Sequence, residues 1–130
     1  MLAGLDHAAI PVAEMDAMLD FYVHLGCTID DSMAPHVYSV GFGVNKLNFH
    51  APRLWQSDTF DLRGPTAEPG CGDFCFVWQG DQAALDATLE GLASVIAGPV
   101  ERVGGRGMSA LSTYVRDPDG NLLEFMIYPG

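Results

Sequence analysis

Basic residues are scarce. Lys46, Arg53, Arg63, Arg102, Arg106 and Arg116 stand against seventeen acids, giving 130 residues a formal net charge of −11 and a pI near 4.3. Nucleic-acid binders meet phosphates with basic patches, and anionic headgroups repel an acidic chain. Neither nucleic acid nor a membrane surface is therefore an expected partner, whereas a cationic ligand or a metal ion stays open. Cysteine is scarce too. Cys27, Cys71 and Cys75 cannot all pair in one chain and make no C-x-x-C unit, which excludes a disulfide framework and a zinc knuckle. They read as reduced core residues of a cytoplasmic protein. No apolar run approaches the roughly 18 residues of a membrane span. A start carrying Asp6 and Glu14 without a basic stretch is not that of a signal peptide. All four histidines fall within the first fifty residues, and no Ser-His-Asp or Cys-His arrangement stands out.

What is present is a globular composition, 48% hydrophobic and 18% charged, at a one-domain length. Leu5–Val12 is short, apolar and bounded by Pro11, as a buried strand would be. A helix is expected over about Ala13–Leu25, with Met15, Met18, Leu19 and Tyr22 on one face and Gly26 beyond its end. Val37–Phe42 and Asn45–His50 read as two strands around a Gly43-Val44 turn. The same order recurs: strand Asp73–Trp78, a helix capped by Asp81 with Leu85, Leu89 and Leu92 on one face, then strands Leu111–Arg116 and Leu122–Tyr128. These last two flank the turn Asp117-Pro118-Asp119-Gly120-Asn121. Sixty-six positions separate His7 from Asp73, and 76 separate both Asn45 from Asn121 and Asn48 from Glu124. The pattern is that of an internal duplication, with modules of about 1–52 and 71–130 joined by a loop over about 53–70. Ala51–Gly70 shows no periodicity, although its Trp55 and Phe60 suggest packing over something. Gly98–Gly107, lacking a Walker lysine, reads as a flexible hairpin or cavity-rim loop.

Ionisable groups inside apolar strands are costly unless paired or metal-bound. His7, Asp73 and Glu124 lie in such strands, and Asn48 and His50 share one face of theirs. Duplication makes His7 equivalent to Asp73 and Asn48 equivalent to Glu124. A pseudo-twofold would bring these four to one point, where imidazole and carboxylate suit Zn²⁺, Mn²⁺, Fe²⁺, Ni²⁺ or Co²⁺. Tyr114 reads as core or as a ligand contact.

Leu5-Asp6-His7, Phe21-Tyr22-x-x-Leu25-Gly26, Gly98-Pro99, Ser112-x-Tyr114, Asp117-Pro118-Asp119-Gly120-Asn121 and Leu123-Glu124 occur in an order that resembles the vicinal oxygen chelate superfamily. That superfamily comprises glyoxalase I, extradiol dioxygenases, fosfomycin-modifying enzymes and bleomycin-resistance proteins. The resemblance implies an α+β fold of two tandem βαβββ modules, their curved mixed sheet set around a central cavity, in a homodimer. It implies metal positions at His7, Asn48, Asp73 and Glu124, of which Asn48 and Asp73 depart from the family pattern, so His50 is a candidate replacement. The expected metal set is His7, His50, Asp73 and Glu124, with Glu124 or Asp73 as general base and Asn48, Trp55 and Tyr114 toward the substrate. The activity implied is that of a metal-dependent enzyme chelating vicinal oxygens of a small molecule, lyase- or isomerase-like or dioxygenase-like. The alternative is a bleomycin-resistance-type protein that sequesters a cationic aromatic ligand without catalysis.

Overall fold

The computed structural model describes residues 1–130, which divide into two compact units, Met1–Cys71 and Gly72–Gly130. In the first unit β1 (His7–Pro11) is followed by α1 (Met15–His24), β2 (Thr28–Asp30), β3 (Val37–Phe42), β4 (Asn45–His50) and the short α2 (Pro52–Trp55). The second unit runs β5 (Asp73–Val77), α3 (Gln82–Leu89), β6 (Ala97–Val103), β7 (Ser109–Arg116) and β8 (Leu122–Ile127). Each unit is thus a βαβββ module with a four-stranded mixed sheet, in the order β1-β4-β3-β2 and β5-β8-β7-β6. The fold is α+β, as the resemblance implies.

The two registers coincide. His7 lies opposite Lys46 in the first parallel pair and Asp73 opposite Leu122 in the second, so the offsets of 66 and 76 hold residue for residue. In the antiparallel pairs Ser39 lies opposite Asn48 and Tyr114 opposite Glu124. Strand β3 is offset from β7 by 75, and the hairpin that follows is one residue longer in the second unit.

One sheet face of each unit buries against its helix. Leu47 and Phe49 of β4 and Ile10 of β1 pack with Met18 and Tyr22 of α1; Phe49 and Met18 have no exposed surface, and the Tyr22 and Phe49 rings meet edge to face at 5.4 Å. Leu123, Phe125 and Val115 are likewise buried in the second unit, as are Leu85 and Leu89 of α3. Asp81 caps α3 by accepting a hydrogen bond from the Ala84 N–H at 2.8 Å, which satisfies one of the helix's orphan donors.

Both parallel pairs are closed at one end by an asparagine. Asn121 is fully buried; its Oδ1 accepts from the Gly72 N–H at 2.8 Å, and its Nδ2 donates to both Asp117 oxygens at 3.0 and 2.8 Å. Asp117 Oδ1 also accepts from the backbone N–H of Asn121 and of Asp119. In the first unit Asn45 Nδ2 donates to the Leu5 carbonyl at 3.0 Å. Both residues tie a hairpin to the approach of the neighbouring parallel strand.

Several expectations need correction. Of the two readings of Gly98–Gly107 the hairpin holds, with most of β6 as one arm paired to β7, though as an edge strand whose residues are nearly all exposed and so show no apolar alternation. Helix α3 ends at Leu89, with Glu90 already extended at ψ 123°. The supposed loop 53–70 begins inside α2, which starts at Pro52. Cys71 and Cys75 are exposed and only Cys27 is partly buried, so the cysteines are not a core set. No helix is long and apolar enough to cross a membrane.

Candidate functional site

Residues paired across a ladder point to the same face. In the first unit the face away from α1 carries His7 and Ala9 of β1, Lys46, Asn48 and His50 of β4, and Ser39 and Gly41 of β3. In the second unit the face away from α3 carries Asp73 and Cys75 of β5, Leu122, Glu124 and Met126 of β8, and Ser112, Tyr114 and Arg116 of β7. The polar residues picked out by the duplication therefore share the face not covered by a helix in both units. His7 stands to Asn48 as Asp73 stands to Glu124, each two register steps from being directly opposite.

Glu124 is the most elaborately held of them. The hydroxyl of Ser112, which is fully buried, donates to Glu124 Oε2 at 2.5 Å, a length typical of charge-assisted bonds to a carboxylate. Cys75 of β5 lies directly opposite Glu124 across the parallel ladder. Burial first, and then the negative charge of Glu124, push the Cys75 thiol up to about 11. Asn48 has a parallel arrangement, with the Ser39 hydroxyl donating to its Oδ1 at 2.8 Å. In each module a β-strand serine thus orients the polar residue of the adjacent strand.

His7 is partly exposed, and its Nδ1 lies 2.6 Å from Asp6 Oδ1. An ionised carboxylate only accepts, so Nδ1 carries a proton and turns it to Asp6; the hydrogen bond from His7 holds the Asp6 carboxyl below its usual value. His50 lies apart from His7. Its Cα partner is Pro11, four residues along β1, a separation of about 13 Å at the rise of a strand. Its ring meets Phe60 edge to face at 5.4 Å, and burial, with the Arg63 charge second, holds its pKa below the ordinary histidine value. His7 and His50 are therefore not brought together. The Trp55 indole N–H donates to the Val12 carbonyl at 3.1 Å and Arg63 lies over its ring at 5.9 Å, an architectural setting. Tyr114 stands beside Glu124 on the next strand, and Asp73 is exposed at the start of β5.

In kind, His7 Nε2 and the remaining oxygen of Glu124 are good donors for a divalent ion. In number they fall short: nowhere do three or more His, Cys, Asp or Glu side chains gather as a metal ion needs. The side chains as placed do not fit a resident metal, and no chemical step below passes through one.

The sequence singled out Glu124 but not the groups that hold it. Ser112 lies diagonal to Glu124, and no sequence offset relates it to Ser39, which matches Tyr114 instead. The one available signal was strand alternation, which puts Ser112 on the face of Tyr114.

Residues 4–125 match the model of the Glyoxalase/Bleomycin resistance protein/Dioxygenase superfamily. The chain belongs to that superfamily. Among curated proteins of the superfamily's kind, it is 36% identical over 126 residues to the glyoxalase domain-containing protein RDO1 of Mycosarcoma maydis, covering 96% of this chain and 68% of the relative. It is 30% identical over 125 residues to virulence protein STM3117 of Salmonella typhimurium, covering 95% and 83%. The crystal structure of STM3117 superposes with a TM-score of 0.86 over 99% of both chains, at 28% identity. An integron cassette protein of V. cholerae gives the same TM-score at 29% identity, over 99% of this chain and 98% of that one.

Proposed function

We propose that this glyoxalase-superfamily protein is an enzyme that takes a carbon-bound proton from a small oxygenated substrate, with Glu124 as general base. The observation that carries the reading is the fixed carboxylate. One oxygen is held by the buried Ser112 hydroxyl, and the carboxylate stands on a helix-free sheet face beside Tyr114. A base so oriented needs no reorganisation when substrate arrives, and positioned general bases contribute about 10²- to 10⁴-fold in rate. Ser112 and Cys75 act as positioning residues, and Tyr114 supplies a phenolic hydroxyl on the neighbouring strand. The outcome is a lyase- or isomerase-type rearrangement, since removal of a proton from the carbon α to a carbonyl leaves an enolate that is reprotonated or expels a leaving group from the β carbon.

The sharper expectation from the family resemblance is metal dependence, with His7 and Glu124 as ligands to Zn, Ni, Mn, Fe or Co. The Asp6–His7 hydrogen bond turns Nε2 away from Asp6, as a carboxylate bonded to a ligating histidine does, but the donors as placed are too few for a resident metal. The binding-only reading draws on bleomycin-resistance-type members of the same superfamily.

One experiment separates the three. Solvent deuterium incorporation into a panel of small α-hydroxycarbonyl compounds is followed by NMR, using EDTA-treated protein and protein supplied with each of the five ions. Exchange lost in Glu124→Gln supports the base, and a strict need for an ion that is weakened by His7→Ala supports the metal form. Saturable binding without exchange under any condition makes the protein a binding module and overturns the enzymatic reading.

A further inference from the structure

The arginines of the second unit gather on one face of its sheet, which they share with Asp73 and Glu124, while four other acids lie on the helix side. Asp81 caps α3, Asp86 lies within it and Glu90 follows it, while Glu101 of β6 lies opposite Leu111 on the same helix side. The arginines go the other way. Arg102 lies opposite Ala110, whose side chain alternates onto the face of Ser112 and Tyr114, and Arg116 lies opposite Leu122 on the face of Glu124. Arg106 sits in the turn after β6, with its guanidinium 4.4 Å from the centre of the Tyr128 ring. A side chain at Gly104 would strike both the Tyr128 hydroxyl and the Met126 sulfur, so this turn folds over the Met126 end of that face. All three arginines of the unit therefore attend the Glu124 face, in a chain that has only six basic residues.

Arg102 and Arg106 have no carboxylate partner. Arg102 lies over the Tyr114 ring at 6.0 Å and donates only to the carbonyl of Glu101; Arg106 is stacked on Tyr128. With an excess of acids available, two exposed guanidinium groups set against tyrosine rings, Arg106 at 4.4 Å and Arg102 at 6.0 Å, with no carboxylate on either, are a specific arrangement. Stacking fixes the plane of the guanidinium and leaves its N–H fork free at the edge, the geometry that takes a carboxylate or phosphate in a bidentate manner. Tyr114, under Arg102, is also the neighbour of Glu124.

We propose that the ligand handled at Glu124 is a small organic anion whose carboxylate or phosphate is received by Arg102 and Arg106. The inference rests on Glu124 as the working group and names the class of its substrate. It also reverses the simplest reading of the −11 charge, which favours a cation: the overall acidity belongs to other surfaces, and this face is locally basic at its edge.

Three oxygenated probes that differ in their charged group test the proposal by calorimetry and by the arginine Nε–H resonances of the full chain: lactate, glycerol 3-phosphate and 2-aminoethanol. At least one anion should bind roughly ten-fold or more tightly than the amine, with Arg102→Gln and Arg106→Gln each weakening it by roughly ten-fold. Whichever anion binds more tightly identifies carboxylate or phosphate as the recognised group. The charge-matched Arg53→Gln, on α2, should leave binding unchanged, and circular dichroism confirms that all variants are folded. Amine binding equal to that of the anions, no saturable anion binding, or equal losses in Arg53→Gln and Arg102→Gln each overturn the proposal. Glu124→Gln keeps the two readings distinct: anion binding retained while exchange persists would refute the base and leave the anion site standing.

Discussion

The sharpest stability test lies at Asn121. Replacement by alanine removes three side-chain hydrogen bonds, one from the Gly72 N–H and two to the Asp117 carboxylate. The site is fully buried, so water does not readily replace them. A neutral bond is worth about 0.5–1.5 kcal/mol and one to a charged group about 1.5–3 kcal/mol. Counting the two contacts with Asp117 as one charged interaction, because they share a single amide, the loss is about 2–4.5 kcal/mol. Asn45 has the equivalent place but a single good bond, to the Leu5 carbonyl, in an exposed setting, and Asn45→Ala should cost about 1 kcal/mol or less. Urea unfolding read by tryptophan fluorescence measures both, with Trp55 and Trp78 reporting one unit each. The midpoint should fall substantially for Asn121→Ala and little for Asn45→Ala, at unchanged m. Equal losses would refute the argument, because they would mean that the network around Asp117 contributes nothing beyond a turn bond.

Two further outcomes follow from the titrating groups. His50 should titrate below the ordinary histidine value by NMR, and Arg63→Gln should raise it by removing the second cause of the shift. Because the folded-state pKa is depressed, the stability linked to His50 is complete above the unfolded value of about 6.5 and is lost as pH falls through the folded value. A His50→Phe variant that keeps the edge contact with Phe60 should lose less stability than the wild type on going from pH 7 to pH 5. Cys75, with its thiol pushed up to about 11, should alkylate with iodoacetamide more slowly at pH 7.5 than Cys71, which is likewise exposed, since the thiolate is the nucleophile. Glu124→Gln should speed it in part, as burial remains the larger cause; mass spectrometry of the labelled peptides reads both rates.

The strands that were legible in the sequence were those with one buried face. β1, β4, β5 and β8 announce themselves by apolar side chains set against a helix, and the β3–β4 and β7–β8 hairpins by their turn residues. β2 and β6 are edge strands: the first has three residues, and the second is exposed almost throughout, so neither carries a period-two signal. α2 is a single turn in a proline-rich segment. For the candidate site, offsets of 66 and 76 picked out His7, Asn48, Asp73 and Glu124 because register is conserved between the modules. Ser112, Cys75, Arg102 and Arg106 acquire meaning only through contacts between neighbouring strands or within a turn, which a linear offset cannot express. His50 drew notice by sharing a strand face with Asn48, yet a shared face does not bring two residues close when one lies a dozen ångströms along the strand.

The matched registers have a consequence for how such a chain can change. Between the units the offset is 66 at β1 and β5, 75 at β3 and β7, and 76 at β4 and β8. For these three strand pairs the shifts fall in connectors, whereas the edge strands differ in themselves: β2 has three residues, and β6 has seven with a register irregularity between Ala97 and Val100. Insertions in the turn that carries Arg106 or in the hairpin after β7 can accumulate without a slip that would turn buried side chains outward. Ligand preference and scaffold can thus drift on separate clocks, the connectors quickly and the ladders slowly. Two modules of matched register are chemically unlike, one offering an amide at position 48 and the other a carboxylate at 124, while folding by the same rules.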